Sequence, residues 1–168
     1  MADTRKNVLF LCTHNSARSV MAEALLNRFG GDRFQAFSAG SQPSGKINPF
    51  VASLLAKSGF DMQGFRSKAW DEFALPGAPR MNFVFTVCDQ AAGEVCPVWP
   101  GQPMTAHWGF PDPSSASGTD AEKAAFTADV YRMIERRIRI FAALPLATLS
   151  KLEIQREIDE LGQTHAPA

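Results

Sequence analysis

The chain has 168 residues, 45% of them hydrophobic, with 17 basic and 17 acidic side chains and a formal net charge of zero. That length and apolar share allow one good core, so a single domain spanning 1–168 is expected. Balanced charge argues against nucleic acid or an anionic membrane surface as a partner; the apolar runs are too short to cross a bilayer, and residues 1–6 lack a signal-peptide core. Three cysteines make no disulfide scaffold, so free thiols in a reducing, cytoplasmic setting are expected.

In chain order, Val8-Leu9-Phe10-Leu11 reads as a strand buried on both faces. Residues 20–29 carry Met21, Ala24, Leu25 and Phe29 at helical spacing, stopped by Gly30-Gly31. A second strand is predicted over 34–37, ending at Ser38-Ala39-Gly40. Asn48-Pro49 reads as cap and first turn of a helix that ends at Gly59, with Phe50, Val51, Leu54 and Leu55 on its apolar face. Residues 65–73 are ambiguous, with a helical turn at Trp70–Phe73. Residues 81–87 read as a buried central strand that delivers Cys88. Residues 91–103 are irregular, and 104–108 form a fourth strand followed by the loop 109–113. Thr119 and Glu122 form a capping box that opens a long helix running up to Pro145. Its Arg136, Arg137 and Arg139 read as a solvated face. A short closing helix over 149–161 has an apolar stripe at Leu149, Leu152, Ile158 and Leu161. Strands alternate with helices, which predicts an α/β fold: a small, four-stranded parallel sheet with helices on both faces. Ligands of such sheets sit beyond the carboxyl ends of the strands, where Cys12, Cys88 and the Asp112 loop would all emerge.

The stretch Cys12-Thr13-His14-Asn15-Ser16-Ala17-Arg18-Ser19 joins the first strand to the first helix. Backbone amides of such a loop converge into a concave nest, and the helix dipole adds positive charge. A tetrahedral oxyanion fits the nest, with the Arg18 fork on two of its oxygens. The same field is expected to lower the Cys12 pKa and yield a thiolate near neutral pH. Read one at a time, Cys88 is a packed small residue, Cys96 a loop thiol and Asp112 a turn former. Cysteine and histidine show no zinc-ligand spacing, and neither metal nor cofactor is expected.

The run from Val8 to Glu23 resembles the phosphate-binding loop of the low-molecular-weight tyrosine phosphatase superfamily. More specifically, the chain is similar to the thioredoxin-coupled arsenate reductases built on that flavodoxin-like three-layer fold. The likeness continues through Phe37-Ser-Ala-Gly40, Asn48-Pro49, Thr86-Val-Cys88, Cys96-Pro97 and the segment from His107 to Pro113. The resemblance implies that Cys12 is the nucleophile, Arg18 holds the oxyanion and Ser19 hydrogen-bonds the thiolate. It makes Asp112 the general acid, Cys88 and Cys96 the shuttle cysteines, and Asn15 a brace for the loop. His107 and Trp108 orient the acid loop, and His14 faces solvent. Arsenate would be the substrate, phosphate and sulfate competing oxyanions, and thioredoxin or another thiol, such as a glutathione-linked one, the reductant of a monomeric enzyme.

Three departures from the family pattern stand out. Ala17 replaces a second loop cysteine, which removes a protective disulfide there. The seven residues between Cys88 and Cys96 are one more than in typical members. Lys68 stands where potassium-binding relatives carry an acidic side chain, near Glu23 and Ser38, which suggests a tethered ammonium in place of the ion. Two other functions fit parts of the pattern. A phosphatase needs only Cys12, Arg18 and Asp112, although the acid loop reads Asp-Pro-Ser and the only tyrosine, Tyr131, lies in the long helix. A non-catalytic oxyanion or redox sensor would leave that intact machinery without a task.

Overall fold

A computed structural model describes residues 4–88, 99 and 101–163. Strands β1 (Lys6–Cys12), β2 (Phe34–Gly40), β3 (Phe83–Thr86) and β4 (Met104–His107) form one parallel sheet in the order β2-β1-β3-β4. The helices among the described residues are α1 (Arg18–Gly30), α2 (Pro49–Lys57), α3 (Asp120–Ala142) and α4 (Lys151–Gln163). No helix among these residues is long and apolar enough to cross a membrane.

Strand β1 is central, and its alternating side chains supply both cores. Val8 and Phe10 join Phe34, Phe83, Phe85 and the inner faces of all four helices. Leu9 and Leu11 point the other way, to Ala39, Val84, Trp99 and the short helical turn Trp70–Phe73. The apolar run Val8–Leu11 therefore serves two layers at once. Register places Cys12 opposite Gly40 and Thr86 opposite Leu11, so the carboxyl ends of β1, β2 and β3 meet at one edge.

The helix ends follow the sequence signals. Asn48 Oδ1 accepts from the Phe50 and Val51 amides, and Pro49 takes the first turn of α2. Thr119 and Glu122 cap each other reciprocally at the start of α3. Helix α1 differs: its N-cap is Ala17, which makes no side-chain hydrogen bond.

Two expectations on the helix faces need correction. Arg137 is not solvated with Arg136 and Arg139; it is 6% exposed, because the inner stripe of α3 defined by Val130, Ile134 and Phe141 carries it toward the sheet. Leu152 is not part of a buried stripe but is 71% exposed; α4 begins at Lys151, and its inward positions are Ile158 and Leu161. That inward face rides close against the end of β4. Trp108 Nε1 donates to the Ile158 carbonyl at 2.9 Å, and a Cβ on Gly162 would fall 2.2 Å from the His107 carbonyl oxygen. Trp108 in turn stacks on Phe85 with ring centroids 4.0 Å apart.

Candidate active site

Cys12 ends β1, and Arg18 opens α1, with residues 13–17 turning between them. The carbonyls of this loop are held from outside by later segments. Gln42 N–H donates to Thr13 O at 2.8 Å, Ser44 N–H to His14 O at 3.1 Å and Asn48 N–H to Ser16 O at 2.8 Å. Ser67 Oγ adds a second bond to His14 O at 3.0 Å. In a planar trans peptide the C=O and N–H point in opposite directions. Anchoring these carbonyls outward therefore turns the His14, Asn15 and Ala17 amides inward, which makes the nest.

Asn15 sits in the left-handed region at φ 49°, a conformation that asparagine tolerates better than most residues. Its Nδ2 donates to Ser19 Oγ at 2.9 Å, and its Oδ1 accepts from the Lys68 amide at 2.9 Å. Gly40 lies directly beneath the loop. A Cβ there would stand 2.5 Å from Thr13 O and 2.8 Å from Cys12 O, so only glycine permits this approach.

Arg18 reaches across the mouth to the acid loop. Its Nη1 donates to Phe110 O at 3.0 Å, and its Nη2 lies 3.7 Å from Asp112 Oδ2. Its Nε is buried and has no hydrogen-bond partner among the described residues. Asp112 Oδ1 accepts from the Ser114 amide at 2.9 Å and from the Ser114 hydroxyl at 2.7 Å. Burial pushes the Asp112 carboxyl up, but the Ser114 bonds and the Arg18 and His14 charges outweigh it, leaving its pKa below the ordinary value. Asp112 also caps the turn Pro113–Ser115, as the turn-forming reading expects.

The two described thiols, Cys12 and Cys88, are both buried and not bonded to each other. The Thr13 amide donates to Cys88 Sγ at 3.4 Å, and Thr13 Oγ1 lies 3.7 Å from that sulfur. The expected depression of the Cys12 pKa is not what the geometry gives. Hydrogen bonding with the Cys88 thiol, then burial, raises it well above the usual thiol value, against the lowering effect of Arg18. The field of Arg18 is present as predicted. Cys88 was expected at the same sheet edge, but not that its thiol would raise the pKa of the first. Cys96 lies outside the described residues.

Behind the loop, Ser38 Oγ donates to Glu23 Oε1 at 2.6 Å, and Lys68 Nζ lies 3.8 Å from the same oxygen. Burial raises the Glu23 pKa and lowers that of Lys68, each opposed by the partner's charge. Both shifts favour the neutral forms, so desolvation outweighs attraction in this pair. Lys68 thus joins the loop to the first helix, through its amide on Asn15 and its ammonium near Glu23 of α1.

The structure brings together Cys12, Thr13, Asn15, Arg18, Ser19, Cys88 and Asp112, with Glu23, Ser38 and Lys68 as backing. His14 is exposed, as expected. His107 Nδ1 shares a hydrogen bond with Thr86 Oγ1 at 2.8 Å, and Trp108 is fully buried. Sequence reasoning missed the Phe110 carbonyl as a partner of Arg18, because backbone acceptors leave no composition signal. It also missed Gly40 as a steric requirement, although its place at the end of a strand hinted at close backbone approach.

The profile of the family described as low molecular weight phosphotyrosine protein phosphatase matches residues 7–156. An arsenate reductase of Halalkalibacterium halodurans is 39% identical over 138 residues, which cover 82% of this chain and 96% of that protein. Among solved structures, an arsenate reductase from Archaeoglobus fulgidus aligns with a TM-score of 0.64 at 29% identity, covering 82% of this chain and 99% of its own. A thioredoxin-dependent arsenate reductase from Corynebacterium glutamicum aligns with a TM-score of 0.56 at 26% identity, over 83% of this chain and 65% of that one.

Proposed function

We propose, from the premise that this chain belongs to the low molecular weight phosphotyrosine protein phosphatase family, that it is an enzyme reducing arsenate to arsenite. The observation that carries the reading is the nest of residues 13–17 with the buried Arg18 Nε, which has no hydrogen-bond partner among the described residues. An oxyanion satisfies that donor and the inward amides together. The second thiol beside Cys12 favours reduction over hydrolysis, because a two-electron reduction needs a thiol pair and hydrolysis needs only one thiol.

Cys12 Sγ gives its proton to the arriving arsenate dianion and, as thiolate, attacks arsenic, and an arsenate oxygen leaves as water with a proton from Asp112. In the resting site the Asp112 carboxyl is ionised, and the negative charge of the arriving oxyanion favours its protonation. Cys88 Sγ, its proton passing to an oxygen of the arsenic adduct, then attacks Cys12 Sγ. The electrons of the S–As bond pass to arsenic, which leaves as arsenite, and a Cys12–Cys88 disulfide remains. Cys96 attacks Cys88 by thiol–disulfide exchange, freeing Cys12 and leaving a Cys88–Cys96 disulfide for an external dithiol. Thioredoxin is the reductant we assign, on the strength of the Corynebacterium relative. Lys68 supplies the positive charge behind the loop, so no free potassium is required.

The test is arsenite production from arsenate with thioredoxin and its reductase, or with glutathione and glutaredoxin, beside hydrolysis of an aryl phosphate. Arsenite formation lost in Cys12→Ser is the expected result. Aryl phosphate hydrolysis without arsenite formation would instead favour the phosphatase reading, which needs Cys12, Arg18 and Asp112 but neither shuttle thiol.

A further inference from the structure

Arg137 is the buried member of the arginine run on α3. Its neighbour Arg139 pairs with Glu135 at 3.3 Å on the outer side of the helix. The Arg137 guanidinium carbon instead lies 4.4 Å from the centroid of the Phe110 ring. Burying a guanidinium is costly, and the face of an aromatic ring returns part of that cost as a cation–π contact.

Phe110 itself is tied at three points. Its amide donates to Val87 O at 3.3 Å, next to Cys88, and its carbonyl accepts from Arg18 Nη1 at 3.0 Å. Two residues later the chain presents Asp112, whose carboxylate faces the same guanidinium. One arginine therefore holds the ring of Phe110 and another its carbonyl.

We infer that Arg137 is a positioning residue of the oxyanion site: by clamping the Phe110 ring it fixes the carbonyl that aims Arg18 and the entry to the loop bearing Asp112. This rests on the reading of the site given under Proposed function. The contact through which Arg137 meets the site is the Phe110 ring. An arginine that merely filled space under the loop would be replaceable by any long apolar side chain.

Three variants separate the two roles. Arg137→Met keeps length and apolar volume, Arg137→Lys keeps the charge, and Phe110→Leu removes the ring while leaving the carbonyl. The readouts are inorganic phosphate affinity by calorimetry, the rate of the single-turnover arsenate step, and the thermal midpoint. Arg137→Met and Phe110→Leu should each weaken phosphate binding and slow the arsenate step about ten-fold, within the range of a desolvated cation–π contact. The double variant should lose less than the product of the two single losses, and Arg137→Lys should fall between wild type and Arg137→Met. Wild-type affinity and rate in Arg137→Met, or losses that multiply in the double variant, would overturn the inference. Should Arg137→Met fail to fold, unaltered phosphate affinity in Phe110→Leu overturns it equally. A wild type that binds phosphate but reduces no arsenate would remove the proposed activity and leave this test standing, because phosphate affinity reads the aim of Arg18 directly.

Discussion

Cys88 Sγ accepts a hydrogen bond from the Thr13 amide at 3.4 Å, on the first peptide after the nucleophile. The second thiol is thus lodged at the threshold of the anion loop before any substrate arrives. It is near enough to Cys12 to be the largest cause of that thiol's raised pKa.

Cys88→Ala should therefore make Cys12 more acidic. A raised pKa means less thiolate at neutral pH, so wild-type Cys12 should alkylate appreciably only well above the ordinary thiol value of about 8.5. Without the Cys88 bond, burial remains but the Arg18 field is opposed by less, and the alkylation profile should move to lower pH. Rates of iodoacetamide labelling of Cys12 against pH, read by mass spectrometry, give the answer. Coincident profiles would separate the two thiols.

Gly40→Ala should disable the anion loop while leaving the sheet in place. The added methyl meets two carbonyl oxygens at 2.5 and 2.8 Å, and both are backbone, which has no rotamer to move. Overpacking of this kind costs roughly 1–3 kcal/mol. The expected outcome is a lower urea midpoint, native far-UV circular dichroism and a severe loss of phosphate affinity. Retained affinity would mean that the loop adjusts freely.

The Glu23–Lys68 pair predicts a specific pH slope. Glu23 has a raised pKa in the folded protein, so the folded state binds its proton more tightly than the unfolded chain does. Stability from this group is therefore largest below the unfolded value, about 4.3, and declines as pH rises through the folded value. Glu23→Gln should flatten that decline in urea titrations run across the acid range. Lys68→Met should destabilise by leaving Glu23 with Ser38 alone, and added potassium should restore part of its activity. The wild type should not respond when potassium replaces sodium at constant ionic strength. A potassium requirement in the wild type would contradict the role given to Lys68.

Asp112→Asn should slow formation of the arsenic adduct by about 10²–10⁴, the usual value of a general acid. Phosphate affinity should change far less, because the nest and Arg18 remain. The wild-type carboxyl also holds a depressed pKa through Ser114, Arg18 and His14 despite its burial. What it contributes to stability is present above the unfolded aspartate value and lost as pH falls through the folded one. Rapid-quench kinetics of a single turnover distinguish the two effects. An unchanged adduct rate would reduce Asp112 to its turn-capping role.

The strand–loop–helix around Cys12 was legible from sequence because three independent signals coincide there: a doubly buried apolar run, a Cys–Arg bracket and helical periodicity. The caps at Asn48 and Thr119 were legible for a similar reason, since capping chemistry is local. Arg137 was not. Periodicity placed it beside two exposed arginines, whereas in the fold it faces the Phe110 ring, which is distant in sequence. Leu152 failed in the opposite sense, because an apolar residue in the first turn of a helix has no local signal of which way it faces. The Cys12 pKa was misjudged because electrostatics depends on neighbours that tertiary structure supplies, here Cys88. Cys96 and most of the segment between β3 and β4 lie outside the described residues.

The braces on the anion loop come from far along the chain. Ser67 and Lys68 hold His14 and Asn15 across a separation of 53 residues. Contacts of that range form only after a large loop closes, which makes them late events in folding. A nascent or refolding chain therefore carries Cys12 as an ordinary thiol, open to oxidants, until β2 and the segment through Lys68 have docked. Binding of phosphate to the completed loop should accordingly pull the folding equilibrium forward and shield that sulfur at the same moment.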